Sequence, residues 1–261
     1  MGVEGVAIST VIAALVVDVC YFLKVRACFK EMGVTKDKVT FDFQIIRKIF
    51  SYAVPCSMQQ LIMYVSGLVI SPMINGIGSY ASAAYTVVHQ IQNLVATIFY
   101  NSSKIVGTYS AQCVGAGKIS QLKKGVYTGL IQSTVYIAVP LLVCAVWAEP
   151  VCKLFFPSDY TGEGLSYAIL FARVYLPFIW FNLVNNLFHS FYRGTGSMKL
   201  LVSLTATGSV ARFVFSLIFI HFMGMEGVYI GWVLAWITES ILALWSFFSE
   251  SWKKNLPRNR E

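Results

Sequence analysis

The stretch QNLVATIFYNSSKIVGTYSAQCVGAGK, residues 92–118, decides the fold because it allows two incompatible interpretations. Its end is similar to a phosphate-binding loop, in which G-x-x-x-x-G-K-[S/T] follows a strand. Gln112 stands where that loop needs its first glycine, however, and Ile119 stands where it needs a hydroxyl. The preceding run is long, apolar and without strand-like alternation. The stretch is therefore typical of a membrane helix that ends at a glycine-rich turn.

The composition of the whole chain is that of a membrane protein. Of its 261 residues, 57% are hydrophobic and 12% are charged, whereas soluble domains are about 25% charged. A bilayer core about 30 Å thick requires roughly 20 apolar residues per spanning helix. The sequence therefore predicts an all-α integral membrane protein with seven transmembrane helices. These spans lie near residues 3–23, 51–73, 84–108, 126–148, 165–190, 198–222 and 227–248.

The net charge of +8 follows a membrane topology rather than a nucleic-acid-binding surface. Basic residues occupy every second connection between spans, whereas the alternate connections are uncharged or mainly acidic. By the positive-inside rule, the basic connections and the C-terminus are cytoplasmic and Met1 is on the outer side. We predict a multi-pass protein of the plasma membrane whose basic side contacts anionic lipid head groups.

The longest polar stretch, residues 24–50, divides the chain. We interpret it as a basic cytoplasmic linker between one helix, residues 1–23, and a six-helix unit, residues 51–248. Residues 249–261 then form a cytoplasmic basic tail. The second part of the linker either lies as an amphipathic helix on the membrane surface or extends the following span. Two prolines inside spans predict bends, Pro140 and Pro177.

Polar side chains recur at helical spacing in three of the predicted spans. A single Ser or Thr in a membrane helix usually joins it to a neighbour, but a large amide facing lipid costs several kcal/mol. We therefore expect these lines of residues to converge on a hydrated substrate cavity. The predicted substrate-binding residues are Gln60, Tyr64, Gln90, Asn93, Asn101, Tyr175, Asn182 and Asn186.

Charged residues inside a span are functional candidates by default. Glu239 is the only carboxylate well within a span. It either binds a proton or sodium ion or pairs with an arginine, and we favour the arginine pair. The predicted intramembrane charged or ion-coupling residues are Glu239, Arg173, Arg212 and Lys104.

No sequence motif predicts an enzyme, a metal site or a cofactor. The six cysteines form no C-x-x-C pair, and the three histidines lack metal-ligand spacing. H-E-x-x-H, G-x-S-x-G and a plausible pair of catalytic carboxylates are also absent from the sequence.

Several stretches resemble the C-terminal half of the multidrug and toxic compound extrusion (MATE) transporters, in the family's order along nearly the whole chain. They are GVEGVAISTVIA at 2–13, VPCSMQQLIMYVSGLVISPMINGIGSYASAAYTVVHQI at 54–91, AQCVGAGK at 111–118, FYRGTGS at 191–197, ARFVFS around Arg212, and MGMEGVYIGWVLAWITES at 223–240. The resemblance implies twelve helices in two six-helix lobes. This chain would supply the last helix of the first lobe and all of the MATE-like second lobe.

The resemblance also implies an antiporter that exports amphipathic or cationic compounds in exchange for protons or sodium ions. Its expected partners are a small-molecule substrate, the coupling ion, membrane lipids and the missing N-terminal lobe, on the same longer chain or on a partner subunit. The proton-coupled branch carries its main aspartate in that missing lobe. The sodium-coupled branch carries a glutamate in the helix matching 51–73, where Met63 stands near the expected place.

Two alternatives stay open at this point. One is a flippase for a lipid-linked saccharide within the same superfamily, which would favour a cationic cavity supplied by Arg173, Lys104 and Arg212. The other is a half-protein that does not transport without a partner lobe. A seven-span receptor also fits the number of helices, but the family motifs count against it.

Overall fold

A computed structural model describes residues 3–31, 42–156 and 162–256, and the regular elements in these ranges are all helical. The α-helices are α1 (Val3–Glu31), α2 (Phe43–Ile77), α3 (Ser79–Gly115), α4 (Gln121–Val146), α5 (Ala148–Lys153), α6 (Glu163–Leu170), α7 (Ile179–Gly194), α8 (Met198–Met223) and α9 (Met225–Phe248). A π-helical segment and a 3₁₀ turn join α6 to α7, and a 3₁₀ turn, Ser251–Asn255, follows α9. The prediction of an all-α protein is confirmed.

The chain divides into two compact units, residues 1–47 and residues 48–261. We call the second unit the lobe. Within the predicted linker, residues 24–31 continue α1, and residues 43–50 form the first turns of α2. The second part of the linker is therefore helical and continuous with the following span. Residues 32–41 of the linker, residues 257–261 of the predicted tail, and Met1 lie outside the described residues.

Six regions of the described chain are long and apolar enough to cross a membrane. They contain α1, α2, α4, the stretch from α6 through α7, α8 and α9. The remaining predicted span, residues 84–108, lies inside α3, which has 37 residues. The regular series of amides and hydroxyls in α3 makes this helix more polar than a typical membrane span. It is not among the six candidate spans. The total of seven spans stays a prediction.

Small residues set the closest contacts between helices of the lobe. A Cβ atom added to Gly107 of α3 would lie 2.9 Å from the backbone oxygen of Ser190 in α7. One added to Gly231 of α9 would lie 2.7 Å from the backbone nitrogen of Ser216 in α8. Gly227, one turn before Gly231, faces the backbone of α8 in the same way. This G-x-x-x-G spacing brings the two backbones together, as is common where membrane helices pack.

The predicted span 165–190 is not one continuous α-helix. The α6 helix gives way to the π-helical segment Phe171–Tyr175 and the 3₁₀ turn Leu176–Phe178 before α7 begins. Pro177 lies in this interruption, as its missing N–H and fixed φ predict. Pro140, in contrast, lies inside the continuous helix α4.

The turn at the end of residues 92–118 is a helix exit, as the sequence predicted. Gly117 has a φ of +70°, which suits glycine because it has no Cβ to clash. The N–H of Lys118 donates to the carbonyl of Cys113 at 2.9 Å, and that of Gly117 donates to Val114 at 3.2 Å. These two bonds form the Schellman motif that commonly ends helices. The same pattern at Gly196, with φ +76°, ends α7.

Candidate functional site: an exposed polar stripe and a buried polar network

One face of α3 carries a continuous polar surface that is exposed on the lobe. We call it the α3 stripe. It spans about 27 Å along the helix axis, close to the thickness of a bilayer core. The opposite face of α3 is apolar and buried, with Ile91, Val95 and Phe99 in the core. The α3 stripe consists of Gln90, Asn93, Thr97, Asn101, Lys104 and Thr108.

Hydrogen bonds within the α3 stripe determine what it presents outward. The hydroxyls of Thr97 and Thr108 donate to backbone carbonyls one turn earlier, at 2.8 and 3.1 Å. Asn93 contacts the ring of His89 at 3.0 Å. Among the described residues, Lys104 forms no ion pair. The α3 stripe therefore presents amides and one ammonium group, and the threonine hydroxyls are already engaged.

The polar residues predicted on α2 are also exposed. Gln60 and Tyr64 lie on the lobe surface, where Tyr64 is 70% exposed. Their neighbour Gln59 is buried and accepts a hydrogen bond from Arg193 at 2.7 Å. This bond joins α2 to the end of α7 and fixes which face of α2 is turned outward.

The predicted polar line of α7 lies in different surroundings, because it is packed inside the lobe. Asn182 is buried and accepts a 2.7 Å hydrogen bond from Asn186. Tyr175, in the π-helical segment, packs against the rings of Phe171 and Tyr229. The structure therefore does not bring the α7 residues onto the same surface as the α3 stripe.

Below these asparagines, α7, α8 and α9 share a buried polar network. His189 Nε2 lies 2.8 Å from Glu239 Oε1. The amide of Asn185 donates to Glu239 Oε2 at 3.2 Å and to the carbonyl of Trp236 at 3.0 Å. Thr205 Oγ1 lies 3.4 Å from His189 Nε2. We call these residues the α7–α9 network; its members are Asn185, His189, Thr205, Glu239 and Ser240, whose hydroxyl lies 2.7 Å from Asn185 Oδ1.

The expected pairing of Glu239 with an arginine is wrong, because its partner is His189. Sequence reasoning gave His189 no partner, since the two residues are 50 positions apart. The sequence did contain a signal, because a carboxylate and an imidazole can form an ion pair or hydrogen bond. Glu239 is a lone intramembrane carboxylate, and His189 follows Asn182 and Asn186 at helical spacing. Gly208 leaves room for the pair, since a Cβ there would lie 2.6 Å from Glu239 Oε2.

Arg212 stacks on an aromatic ring. Its guanidinium carbon lies 4.5 Å from the ring centroid of Trp232, an arrangement that stabilises a cation by its attraction to the π face. Tyr85 and His89, both on α3, also pack against Trp232. Arg212 Nε is buried and has no hydrogen-bond partner among the described residues. A positive charge therefore lies beneath the helix that carries the α3 stripe.

Arg173 lies at the other end of the lobe from the glycine turns. It borders a shallow cavity of about 380 Å³, lined also by Glu149, Ser166, Ile169, Leu170 and Val174. Glu149 forms a 2.7 Å ion pair with Lys153, and the hydrogen bond from Lys153 holds the pKa of Glu149 below its usual value.

This arrangement of helices matches known membrane proteins. The chain aligns with a crystal structure of the Vibrio cholerae MATE transporter VcmN at 16% identity, covering 89% of this chain and 53% of that one, with a TM-score of 0.79. A transporter of the MOP superfamily from Pyrococcus furiosus aligns at 22% identity, covering 77% and 44%, with a TM-score of 0.65. At these identities the likeness establishes the fold. A model of the family described as MatE matches residues 55–218.

The chain belongs to the MatE family. MatE proteins are transporters rather than enzymes. A curated relative, the probable multidrug resistance protein YoeA of Bacillus subtilis, is 23% identical over 264 aligned positions, covering 97% of this chain and 55% of the relative. An uncharacterised membrane protein of Methanocaldococcus jannaschii, MJ1068, is 21% identical, covering 92% and 46%. The chain thus spans about half the length of the curated relatives that it matches.

Proposed function

We propose that this MatE chain forms one lobe of a secondary active transporter, which exports amphipathic or cationic organic compounds in exchange for protons or sodium ions. The α3 stripe is the observation that carries the proposal. An exposed row of amides, hydroxyls and one lysine, about as long as a bilayer core is thick, cannot face lipid without a large cost. It therefore faces water or a second lobe, as a substrate pathway between two lobes requires.

In this proposal, amides and aromatic rings hold the substrate, because amides orient polar groups and rings cover apolar surface. The α3 stripe and the exposed face of α2 form the lobe's part of the pathway, and the α7 asparagines lie behind it. The residues that would contact substrate directly are Gln60, Tyr64, Gln90, Asn93 and Asn101, and Tyr175, Asn182 and Asn186 would support them from inside the lobe.

Coupling would use charges inside the membrane, with Glu239 as part of the ion-coupling site and Arg173, Arg212 and Lys104 as the fixed cations. A single charge crossing the membrane is worth about 2.3 kcal/mol per 100 mV, which is enough for concentrative export. The missing N-terminal lobe, on the same longer chain or on a partner subunit, would complete the pathway by alternating access.

The test is efflux by the full-length protein carrying Gln60→Ala and Asn93→Ala. Each change removes one polar contact worth about 1 kcal/mol, so together we expect about a tenfold loss of substrate affinity or more. Leu94→Ala is the matched control, because Leu94 neighbours Asn93 and is similarly exposed but apolar. Unchanged efflux by the double variant would show that these residues do not bind substrate.

The charges near the α3 stripe favour a second candidate substrate class, anionic amphiphiles such as lipid-linked saccharides. Residues 79–115 contain Lys104 and no Asp or Glu, and Arg212 lies beneath α3 with a buried Nε that has no hydrogen-bond partner in the described part of the chain. Competition between an anionic lipid pyrophosphate and a cationic dye for the purified protein distinguishes the two. Preferential binding of the pyrophosphate supports a flippase, and preferential binding of the dye supports drug export.

A further inference from the structure

His189 and Glu239 meet in the buried part of the lobe. Their side chains are 8% and 12% exposed, and they come from α7 and α9, helices that pack extensively against each other. Burying a charged pair is costly and by itself is weak evidence for a stabilising role. Ionisable groups inside a membrane lobe often mark proton pathways instead.

The surroundings of His189 define which of its nitrogens carries a hydrogen. Thr205 Oγ1 donates its hydrogen to the carbonyl of Leu201 at 3.0 Å, so its oxygen is left to accept. Glu239 Oε1, at 2.8 Å, is also an acceptor. Both neighbours of His189 Nε2 are acceptors, so Nε2 carries the hydrogen in the neutral ring and Nδ1 has the free lone pair.

His189 Nδ1 is buried and has no hydrogen-bond partner among the described residues. A buried polar atom without a partner calls for an explanation. We infer that His189 Nδ1 is the site at which this lobe binds the coupling proton, with Glu239 as the carboxylate that stabilises the resulting imidazolium.

The step balances in atoms and charge. A proton from water on one side of the membrane adds to the lone pair of Nδ1, and the pair changes from one net negative charge to zero. Asn185 remains hydrogen bonded to Glu239 throughout. The transporter then changes to the conformation that opens to the other side of the membrane. Loss of the same proton to water there returns His189 and Glu239 to their first protonation state. No oxidant, metal or further reactant is required.

The contacts of Glu239 favour a proton over a sodium ion at this site. Hard cations are held by several oxygen ligands. The single carboxylate here is already hydrogen bonded by His189 on one oxygen and by Asn185 on the other. No group of three or more His, Cys, Asp or Glu residues suited to a metal ion occurs in the described ranges.

The other ionisable groups on the packed helices are engaged elsewhere. On α7, Tyr192 donates to the carbonyl of Ala243, and Arg193 donates to Gln59. On α8, Arg212 stacks on Trp232. Other ionisable groups on these helices include His89 of α3, which packs against Trp232, Tyr100 of α3, which packs against Phe99, Lys104 in the exposed α3 stripe, and Tyr127 of α4, which packs against Phe247. Within the described residues, none of these named groups hydrogen bonds to His189 or Glu239.

The direct test is nitrogen NMR of the full-length protein in lipid nanodiscs, with labelled histidine, between about pH 5 and pH 8. We expect Nδ1 to be the nitrogen of His189 that takes up the proton. Glu239→Gln removes the negative partner and should change the Nδ1 signal of His189, and Glu239→Asp should restore it. The His221→Gln variant identifies the NMR signal of the exposed His221 by its loss, and it should not change the signal of His189. A His189 ring that stays neutral throughout, or one that Glu239→Gln does not affect, overturns the inference.

The inference rests on the proposed transport activity, and a second measurement separates the two. In proteoliposomes, His189→Gln and Glu239→Gln should lose accumulation of substrate driven by a pH gradient and retain exchange of labelled for unlabelled substrate. Loss of both activities in folded variants, or unchanged accumulation, counts against the proton site. If the unmodified protein moves no amphipathic compound while His189 still titrates, the proposed function fails and the proton site stands.

Discussion

At the scale of single residues, Glu250 at the end of α9 forms ion pairs with two lysines. It has a left-handed φ of 55°, and its carboxylate contacts Lys123 at 2.6 Å and Lys253 at 2.5 Å. Since Lys123 lies near the start of α4, this contact joins two helices that are distant in sequence. Hydrogen bonds from Lys123 and then Lys253 lower the pKa of Glu250 to about 2.

The depressed pKa of Glu250 predicts a pH dependence of stability. The carboxylate contributes above the unfolded-state value of 4.5, and its contribution is lost as the pH falls to about 2. We expect Glu250→Gln to lower the midpoint of thermal unfolding slightly at neutral pH, with the difference shrinking below pH 4.5 and in high salt. Glu149→Gln is the control, because Glu149 pairs within one short helix. A difference that persists at low pH would contradict this explanation.

For Glu239 and Arg212, the sequence predicted the location of the side chain but not its contacts. The sequence placed both inside spans and marked both as functional. It gave Glu239 the wrong partner because opposite formal charge suggested an arginine, whereas packing put His189 within 2.8 Å and Arg212 over the ring of Trp232. Both partners are set by how α7, α8 and α9 pack, which local sequence does not specify.

At the scale of elements, α8 and α9 form the most closely packed pair of helices in the lobe. Their contact depends on Gly227 and Gly231, which face the backbone of α8. Because backbone cannot move aside as a flexible side chain can, a methyl group at Gly231 must separate the helices. The sequence contained this G-x-x-x-G spacing but did not identify the face on which it acts.

We predict that Gly231→Ala destabilises the lobe by about 1–3 kcal/mol, the usual cost of overpacking. Gly67→Ala is the matched control, because a Cβ there has no atom within 4 Å. It should be neutral or stabilise α2 by up to about 1 kcal/mol, since alanine favours helix more than glycine does. Unfolding of the purified protein in detergent measures both. Equal effects of the two substitutions would show that the α8–α9 contact is not as close as described.

At the scale of the whole molecule, we predict that the α3 stripe contacts water when the protein is in the membrane. In a cysteine-free background, Asn93→Cys and Asn101→Cys should react with a water-soluble maleimide. Val135→Cys and Val139→Cys on α4 should not, because these positions are exposed on the lobe but apolar and are expected to face lipid. Similar labelling at all four positions would remove the basis for a substrate pathway along α3.

The same experiment tests the predicted orientation. Lys118→Cys, in the basic turn after α3, should be labelled in intact cells only after permeabilisation, because the positive-inside rule places that turn in the cytoplasm. Lys153→Cys, at the other end of the lobe, should be labelled without it. The reverse pattern would invert the topology.

The sequence by itself determined the class of protein, its all-helical fold and the glycine exit at residues 115–118. These follow from local properties, since apolar length specifies a membrane helix and a left-handed glycine ends one. It also predicted the polar face of α3, because residues at helical spacing share a face whatever surrounds the helix. Its residues also suggested the family that the comparison with the MatE model established.

Only the tertiary structure decided which polar residues are buried together. The asparagines of α7 and those of α3 are alike in sequence, yet the first pack against α9 and the second are exposed. The partner of Glu239 and the stacking of Arg212 were decided in the same way. The physical reason is that these contacts join residues far apart along the chain, so their geometry depends on how the helices pack and not on the periodicity of any one helix.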